Sequence, residues 1–320
     1  MNRVIPNVIF ATQMSDLISK QNIREFSKLE WFARQVVEGF ITGLHKSPFH
    51  GFSVEFAEHR HYNPGDSTRH IDWKLYARTD KHFIKRYEEE TNLRCQIIID
   101  HSSSMYFPDN MVNGENKMSF SVHAAAALMH LFSSQRDAIG LSLFSDKVDT
   151  HIPAKLSVTH MSRVYHQLEL LLGEKPNPAP TNVSVALHEI ADRIHQRSLI
   201  ILFSDMLDGI GTDHQALFNA LQHLKYNKHE VVVFHVTDRS KEIEFNYENR
   251  PYTFVDMETG DEVKLNPSQI RTQYQESAKA HEQEVKLKCT QYGIDFVKSD
   301  IADGYDQVLR AYLAKRSRMK

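Results

Sequence analysis

The sequence predicts an α/β protein: a doubly wound, mostly parallel sheet with helices on both faces, preceded by a small N-terminal α+β module. Two observations carry this expectation. Short continuous apolar runs, CQIIID, AIGLSLFS, SLIILFSD and EVVVFHVTD, recur between residues 95 and 238, and such runs suit strands buried on both faces of a parallel sheet. Between them lie helical patterns at roughly Met118 to Gln135, Met161 to Leu172, Val183 to His195 and His214 to Lys225, so that strands alternate with helices as βαβ units do.

Taken in order, apolar residues recur at helical spacing from Ile23 to Leu44, through Phe26, Leu29, Ala33, Val37 and Phe40, which predicts an amphipathic helix. GFSVEFAEHRHY then alternates in strand fashion through Phe52, Val54 and Phe56, and Asn63-Pro64-Gly65-Asp66 supplies turn chemistry. A short helix through Ile71-Asp72-Trp73 and a strand around HFIKRYEEE complete a module over residues 1–92. The larger domain is expected over residues 93–320. Within it RPYTFVDMETGDEVKL, with Thr259-Gly260 between two alternating runs, predicts a hairpin insertion near residues 245–266. A helix from Pro267 to Tyr292, a last strand in YGIDFVKSD and a terminal helix in DQVLRAYLAKR close the chain.

At 320 residues, with 41% hydrophobic and 25% charged content, the chain is long enough for a sizeable core. A formal net charge of -3 gives no global reason to expect nucleic acid, since phosphate binding normally leaves a strongly basic face. The two cysteines, Cys95 and Cys289, form no CxxC pair, which suits a reducing compartment. MNRVIPNVIFATQMSDLISK lacks the apolar stretch of a signal peptide, and no window approaches about 18 apolar residues. A cytoplasmic protein without a membrane segment is therefore expected. Nineteen histidines are scattered, and His59-x-His61 with His70 lacks the cysteine pair that would strengthen a zinc reading.

The chemistry gathers at strand ends, where open α/β sheets bind their ligands. CQIIID runs into Asp100-His101-Ser102-Ser103-Ser104, a D-x-S-x-S pattern; Asp205 ends SLIILFSD; and Thr181 follows Asn177-Pro178-Ala179-Pro180 at the start of a helix. Hard cations such as Mg²⁺ or Mn²⁺ favour oxygen ligands, so a carboxylate and two hydroxyls on one tight loop are chemically suitable. Serine-rich loops also cap helices, and a lone pattern would not decide between the two. Together, Asp100, Ser102, Ser104, Thr181 and Asp205 resemble the metal-ion-dependent adhesion site of von Willebrand A domains. That resemblance implies a von Willebrand A-like fold and a bound divalent ion. It further implies an open coordination position that an acidic residue of another protein fills.

Upstream, EFAEHRHYNPGDSTRHIDWKLYARTDKHFIKRYEEE is similar to the signature of the domain of unknown function fifty-eight family, matching at Glu55, Phe56, Arg60, Tyr62, Pro64, Gly65, Asp66, Arg69, Ile71, Asp72, Trp73, Ala77 and Arg78. The signature alternates acids and bases, and arginine forks favour bidentate pairing with carboxylates. Arg60, Asp66, Arg69, Asp72 and Arg78, with Trp73 as an apolar anchor, are thus expected either to pin the module to its neighbour or to face a partner. The family resemblance implies a non-enzymatic adaptor working beside a MoxR-type AAA+ ATPase on a client protein. The chain has no G-x-x-x-x-G-K-[ST] of its own, and Gly209-Ile210-Gly211 lacks the third glycine of a dinucleotide fingerprint. Two alternatives stand beside it. One is a Mg²⁺-dependent phosphoester hydrolase built on Asp100 and Asp205, without the extra carboxylates of a two-metal centre. The other is a nucleic-acid-binding module using the Arg/Trp segment.

Overall fold

The structure, a computed structural model, describes residues 28–44, 59–61, 73–80, 83–85, 93–108, 116–174, 183–207, 215–257 and 259–318. The chain divides into two compact units, Ile41–Asn92 on one hand and Met1–Phe40 with Leu93–Lys320 on the other. Helix α1 (Lys28–Leu44) straddles that division. Its residues through Phe40 count with the larger unit rather than with a 1–92 module, because Leu29, Ala33, Val37 and Phe40 are buried there. The Leu29 amide donates to Glu169, and Phe32 packs against His123 and Tyr305.

In the smaller unit β1 (His59–His61) pairs antiparallel with β2 (Phe83–Lys85), bringing Arg60 opposite Ile84, and α2 (Trp73–Thr79) lies between them in sequence. Arg78, in the last turn of α2, is exposed. The expected strand at residues 52–56 and the turn at Asn63-Pro64-Gly65-Asp66 lie outside the described residues.

The larger unit is built on β3 (Arg94–Asp100), β4 (Ala138–Phe144), β5 (Val148–Lys155), β6 (Leu199–Ser204), β7 (Glu230–Thr237) and β10 (Asp295–Asp300), in the spatial order β10-β7-β6-β3-β4-β5. All neighbours are parallel except β5, which returns antiparallel on β4. The apolar runs behave as their composition dictates, for β4 and β6 are buried at every residue and β3 at every residue after Arg94. Successive side chains point to opposite faces. Ile98, Ile200, Leu202, Val231 and Val233 therefore meet α5 (Val183–Arg193), α6 (Gln215–Tyr226) and α7 (Pro267–Gln291) on one face.

On the opposite face lies α3 (Lys117–Ser134), flanked by α4 (Val158–Gly173) and α8 (Asp306–Arg318). The phenol of Tyr312 on α8 donates to Gln135, and its ring packs edge-on against Phe132. Helix α3 is buried around nearly its whole circumference, including its first residue, Lys117. Asn116 fixes where it begins: its side chain accepts from the Ser119 amide at 2.7 Å while its own amide donates to the Ser119 hydroxyl at 2.8 Å. This reciprocal cap satisfies two donors that a helix start otherwise leaves open.

The predicted hairpin forms as β8 (Tyr252–Val255) and β9 (Glu262–Leu265), with Gly260 at φ +76° in the connecting turn. Leading into it, Asp238 caps a single irregular turn, Arg239–Ile243, which no pattern in the sequence marks. Phe245, Tyr247, Tyr252, Phe254 and Tyr274 stack into one aromatic cluster beneath the hairpin. No helix among the described residues is long and apolar enough to cross a membrane.

Candidate metal centre

Strands β3 and β6 are neighbours, so Asp100 and the Ser204-Asp205 pair come to the same carboxyl-end rim. The Asp100 carboxylate is buried and receives the Ser102 amide at 3.0 Å on one oxygen and the Ser204 hydroxyl at 2.7 Å on the other. The Ser102 and Ser104 hydroxyls lie 3.1 Å apart, and Ser104 also donates to Asp205. Thus Asp100, Ser102, Ser104 and Asp205 form one contiguous set of oxygen donors. Thr181, the fifth expected ligand, lies outside the described residues, as do Asp66, Arg69 and Asp72 and the side chains of Arg60 and Trp73.

A sharp turn just after Asp205 fixes its place on the rim. Met206, fully buried, adopts φ +53°, a left-handed conformation that a residue with a Cβ takes up only when its surroundings over-determine it. Those surroundings are visible: the Met206 amide donates to the Ser204 hydroxyl, the Met206 carbonyl accepts from His281, and the Asp205 carbonyl accepts from His235 at 3.0 Å. Burial drives the His235 imidazole down to about 4, so it is neutral.

Two residues outside any sequence motif complete the electrostatics. Lys117, 0% exposed, donates to Asp205 at 2.7 Å and to Glu242 at 2.5 Å. Burial raises the cost of both carboxylate charges, but the ammonium outweighs it at Asp205, which stays below the usual carboxylate range. Glu242 remains above its ordinary value, burial being the larger influence there. Asp100 is different: burial and the neighbouring Asp205 charge push it up to about 6, and its hydrogen bonds come from Ser102 and Ser204.

The donor set fits a hard divalent cation. Among the described residues no group of three or more histidine, cysteine, aspartate or glutamate side chains is arranged to hold a metal ion. A cation here would rely on the carboxylate of Asp100 and the hydroxyls of Ser102 and Ser104, the oxygen chemistry Mg²⁺ and Mn²⁺ prefer. A positive charge at that point would also relieve the Asp100–Asp205 repulsion. Next to it, His101 shares Asp149 with Ser145: its Nε2 lies 2.8 Å from the carboxylate, and the Ser145 hydroxyl donates to the same oxygen at 2.9 Å. No motif marks Lys117, and only the apolar character of α3 on almost every side could point to its burial. Ser204 directly precedes Asp205, and only the β3–β6 register brings its hydroxyl to Asp100.

A mostly parallel six-stranded sheet flanked by helices, with oxygen donors collected where β3 and β6 end, defines an open-sheet α/β protein with a rim site. The chain belongs to the family described as Protein of unknown function DUF58, which matches residues 58–284. Uncharacterized protein Rv1480 of Mycobacterium tuberculosis is 24% identical over 261 residues, covering 80% of this chain and 78% of that one. Among solved structures, conserved hypothetical protein BatB from Bacteroides thetaiotaomicron is similar with a TM-score of 0.42 at 14% identity, covering 71% of this chain and 99% of that one. An aerotolerance-related membrane protein from Bacteroides fragilis gives a TM-score of 0.40, also at 14% identity, covering 68% and 99%.

Proposed function

We propose that the chain is a metal-dependent protein-interaction adaptor of von Willebrand A type, without enzymatic turnover, that works beside a MoxR-type AAA+ ATPase in assembly or maturation of a client protein. The observation that carries this reading is the convergence of Asp100, Ser102, Ser104 and Asp205 at one buried rim, with the Asp100 charge left to hydroxyl and amide donors. Asp100, Ser102 and Ser104 would hold Mg²⁺ or Mn²⁺, with Thr181 as the fourth donor of the same pattern, whereas Asp205, expected as a fifth ligand, is engaged by Lys117 and Ser104 and would balance charge beside the ion. When bound, the ion supplies a Lewis-acid position that an acidic side chain of another protein can complete. The ATPase partner follows from the resemblance of the Glu55–Arg78 segment to the family signature.

Titration calorimetry with Mg²⁺ and Mn²⁺ tests the cation, and pull-down of a MoxR-type AAA+ ATPase tests the partner. Asp100→Ala is expected to abolish both. Retained pull-down by a variant that binds no metal would overturn the bridging mechanism. One observation favours a second reading: the His101 imidazole, oriented by Asp149 beside the candidate ligands, is built like a general base of a phosphoester hydrolase. Turnover of p-nitrophenyl phosphate, lost in both Asp100→Ala and His101→Gln, would move the assignment there.

A further inference from the structure

Lys117 is the charged group that the adaptor reading leaves without a task. Lysines are almost never fully buried unless paired, and this one is paired twice, to Asp205 and to Glu242. Each carboxylate turns one oxygen to the ammonium and has the other fixed by the backbone. Asp205 Oδ1 accepts from the Leu207 amide at 3.3 Å, and Glu242 Oε2 accepts from the Asp238 amide at 2.8 Å. The ammonium is located with equal care, by the cap at Asn116 and by the Phe107 ring 5.9 Å away. Two oriented carboxylates converging on one positive charge is the arrangement that a bridging divalent ion creates, at slightly shorter distances of roughly 2.0–2.6 Å.

We propose that Lys117 stands in for a second cation: its ammonium fills the position between Asp205 and Glu242, so that the rim takes one divalent ion at Asp100 where the buried carboxylates of Asp100 and Asp205 and the partly buried one of Glu242 would otherwise take two. The inference rests on the reading of this rim as a cation site and gives it a stoichiometry. It also sets the rim apart from a two-metal phosphatase centre, which uses paired ions about 3.5–4 Å apart. A simple anchoring role for Lys117 would need one carboxylate; the second is supplied by the irregular turn Arg239–Ile243, whose cap residue, Asp238, is the one that orients Glu242.

The test counts Mn²⁺ bound to the full chain, by equilibrium dialysis with the free ion read by electron paramagnetic resonance. Wild type is expected to bind one ion and Lys117→Ala two, with the second lost again in Lys117→Ala/Glu242→Gln. If wild type binds none and Lys117→Ala binds one that Glu242→Gln removes and Asp100→Ala does not, the stand-in role is supported while the cation of the adaptor reading fails. Equal stoichiometry in wild type and Lys117→Ala, or two ions in wild type, would overturn it. Should Lys117→Ala not fold in EDTA, recovery of folded chain on refolding in Mn²⁺ but not in Na⁺ supports the proposal, and recovery in neither overturns it.

Discussion

Asp100 carries a charge that its burial and the neighbouring Asp205 make costly. A carboxyl pushed up to about 6 by burial and by Asp205 implies that ionising it near neutral pH costs the fold on the order of 2–3 kcal/mol. Asp100→Asn removes that charge, and we expect it to be at least as stable as wild type in EDTA while losing all stabilisation by Mn²⁺; chemical denaturation with and without metal measures both. A marked loss of stability in EDTA would show that the carboxylate is structural. His229 offers an independent pH handle. It is fully buried, its Nδ1 accepts from the Ser198 amide at 3.1 Å, and burial lowers its affinity for a proton. The unfolded chain therefore binds that proton more readily, so stability is complete above the unfolded value near 6.5 and declines as pH falls below it. Denaturation midpoints at pH 7.5 and 5.5 should differ less in His229→Asn than in wild type. Asp100, Ser102, Ser104 and Asp205 were legible in the sequence because apolar runs end on them, which marks a strand's carboxyl end. Lys117 was not, since a lysine opening a helix ordinarily faces water, and only the burial of the whole of α3 reverses that.

Among the elements, β5 depends on a glycine. A Cβ at Gly140 would lie 2.1 Å from the Gln96 side chain and 2.6 Å from the Ile152 carbonyl, in the space where Gln96 crosses to donate to Ser142 and Ile152. Gly140→Ala is expected to loosen β5 from β4 at a cost of about 1–3 kcal/mol, seen as faster hydrogen exchange in residues 148–155 and a lower melting temperature. The hairpin β8–β9 rests in the same way on Phe245, 4% exposed at the centre of the aromatic cluster. Phe245→Ala should cost about 3–5 kcal/mol, with loss of protection concentrated in residues 252–265. The hairpin was readable from alternation around Thr259-Gly260, whereas β5 was not. VDTHIPAK alternates, but Pro153 within it argues against a strand, and its pairing with β4 carries two register shifts. The turn Arg239–Ile243 had no sequence signal either, because its geometry follows from Asp238 capping and from the reach of Glu242 to Lys117.

For the whole molecule, a cation bound only by the folded chain shifts the unfolding equilibrium by mass action. Mn²⁺ at about a hundred times its dissociation constant is expected to add about 2.7 kcal/mol, visible as a raised melting temperature in wild type and absent in Asp100→Ala. The alternation of strands and helices made the α/β class legible, and the helix α1 was legible too. Its attachment was not, because periodicity reports which face of a helix is apolar and says nothing of what covers it. The two outer strands of the sheet have a consequence of their own. Exposed backbone edges invite strand addition and aggregation. Here one outer strand, β10, presents Asp295, Lys298 and Asp300, with Lys298 paired to Glu282 and Asp295 to Lys315. The other, β5, is bent by its register shifts and carries Asp149 and Pro153. Both margins of the sheet therefore disfavour ribbon-like self-association by strand addition.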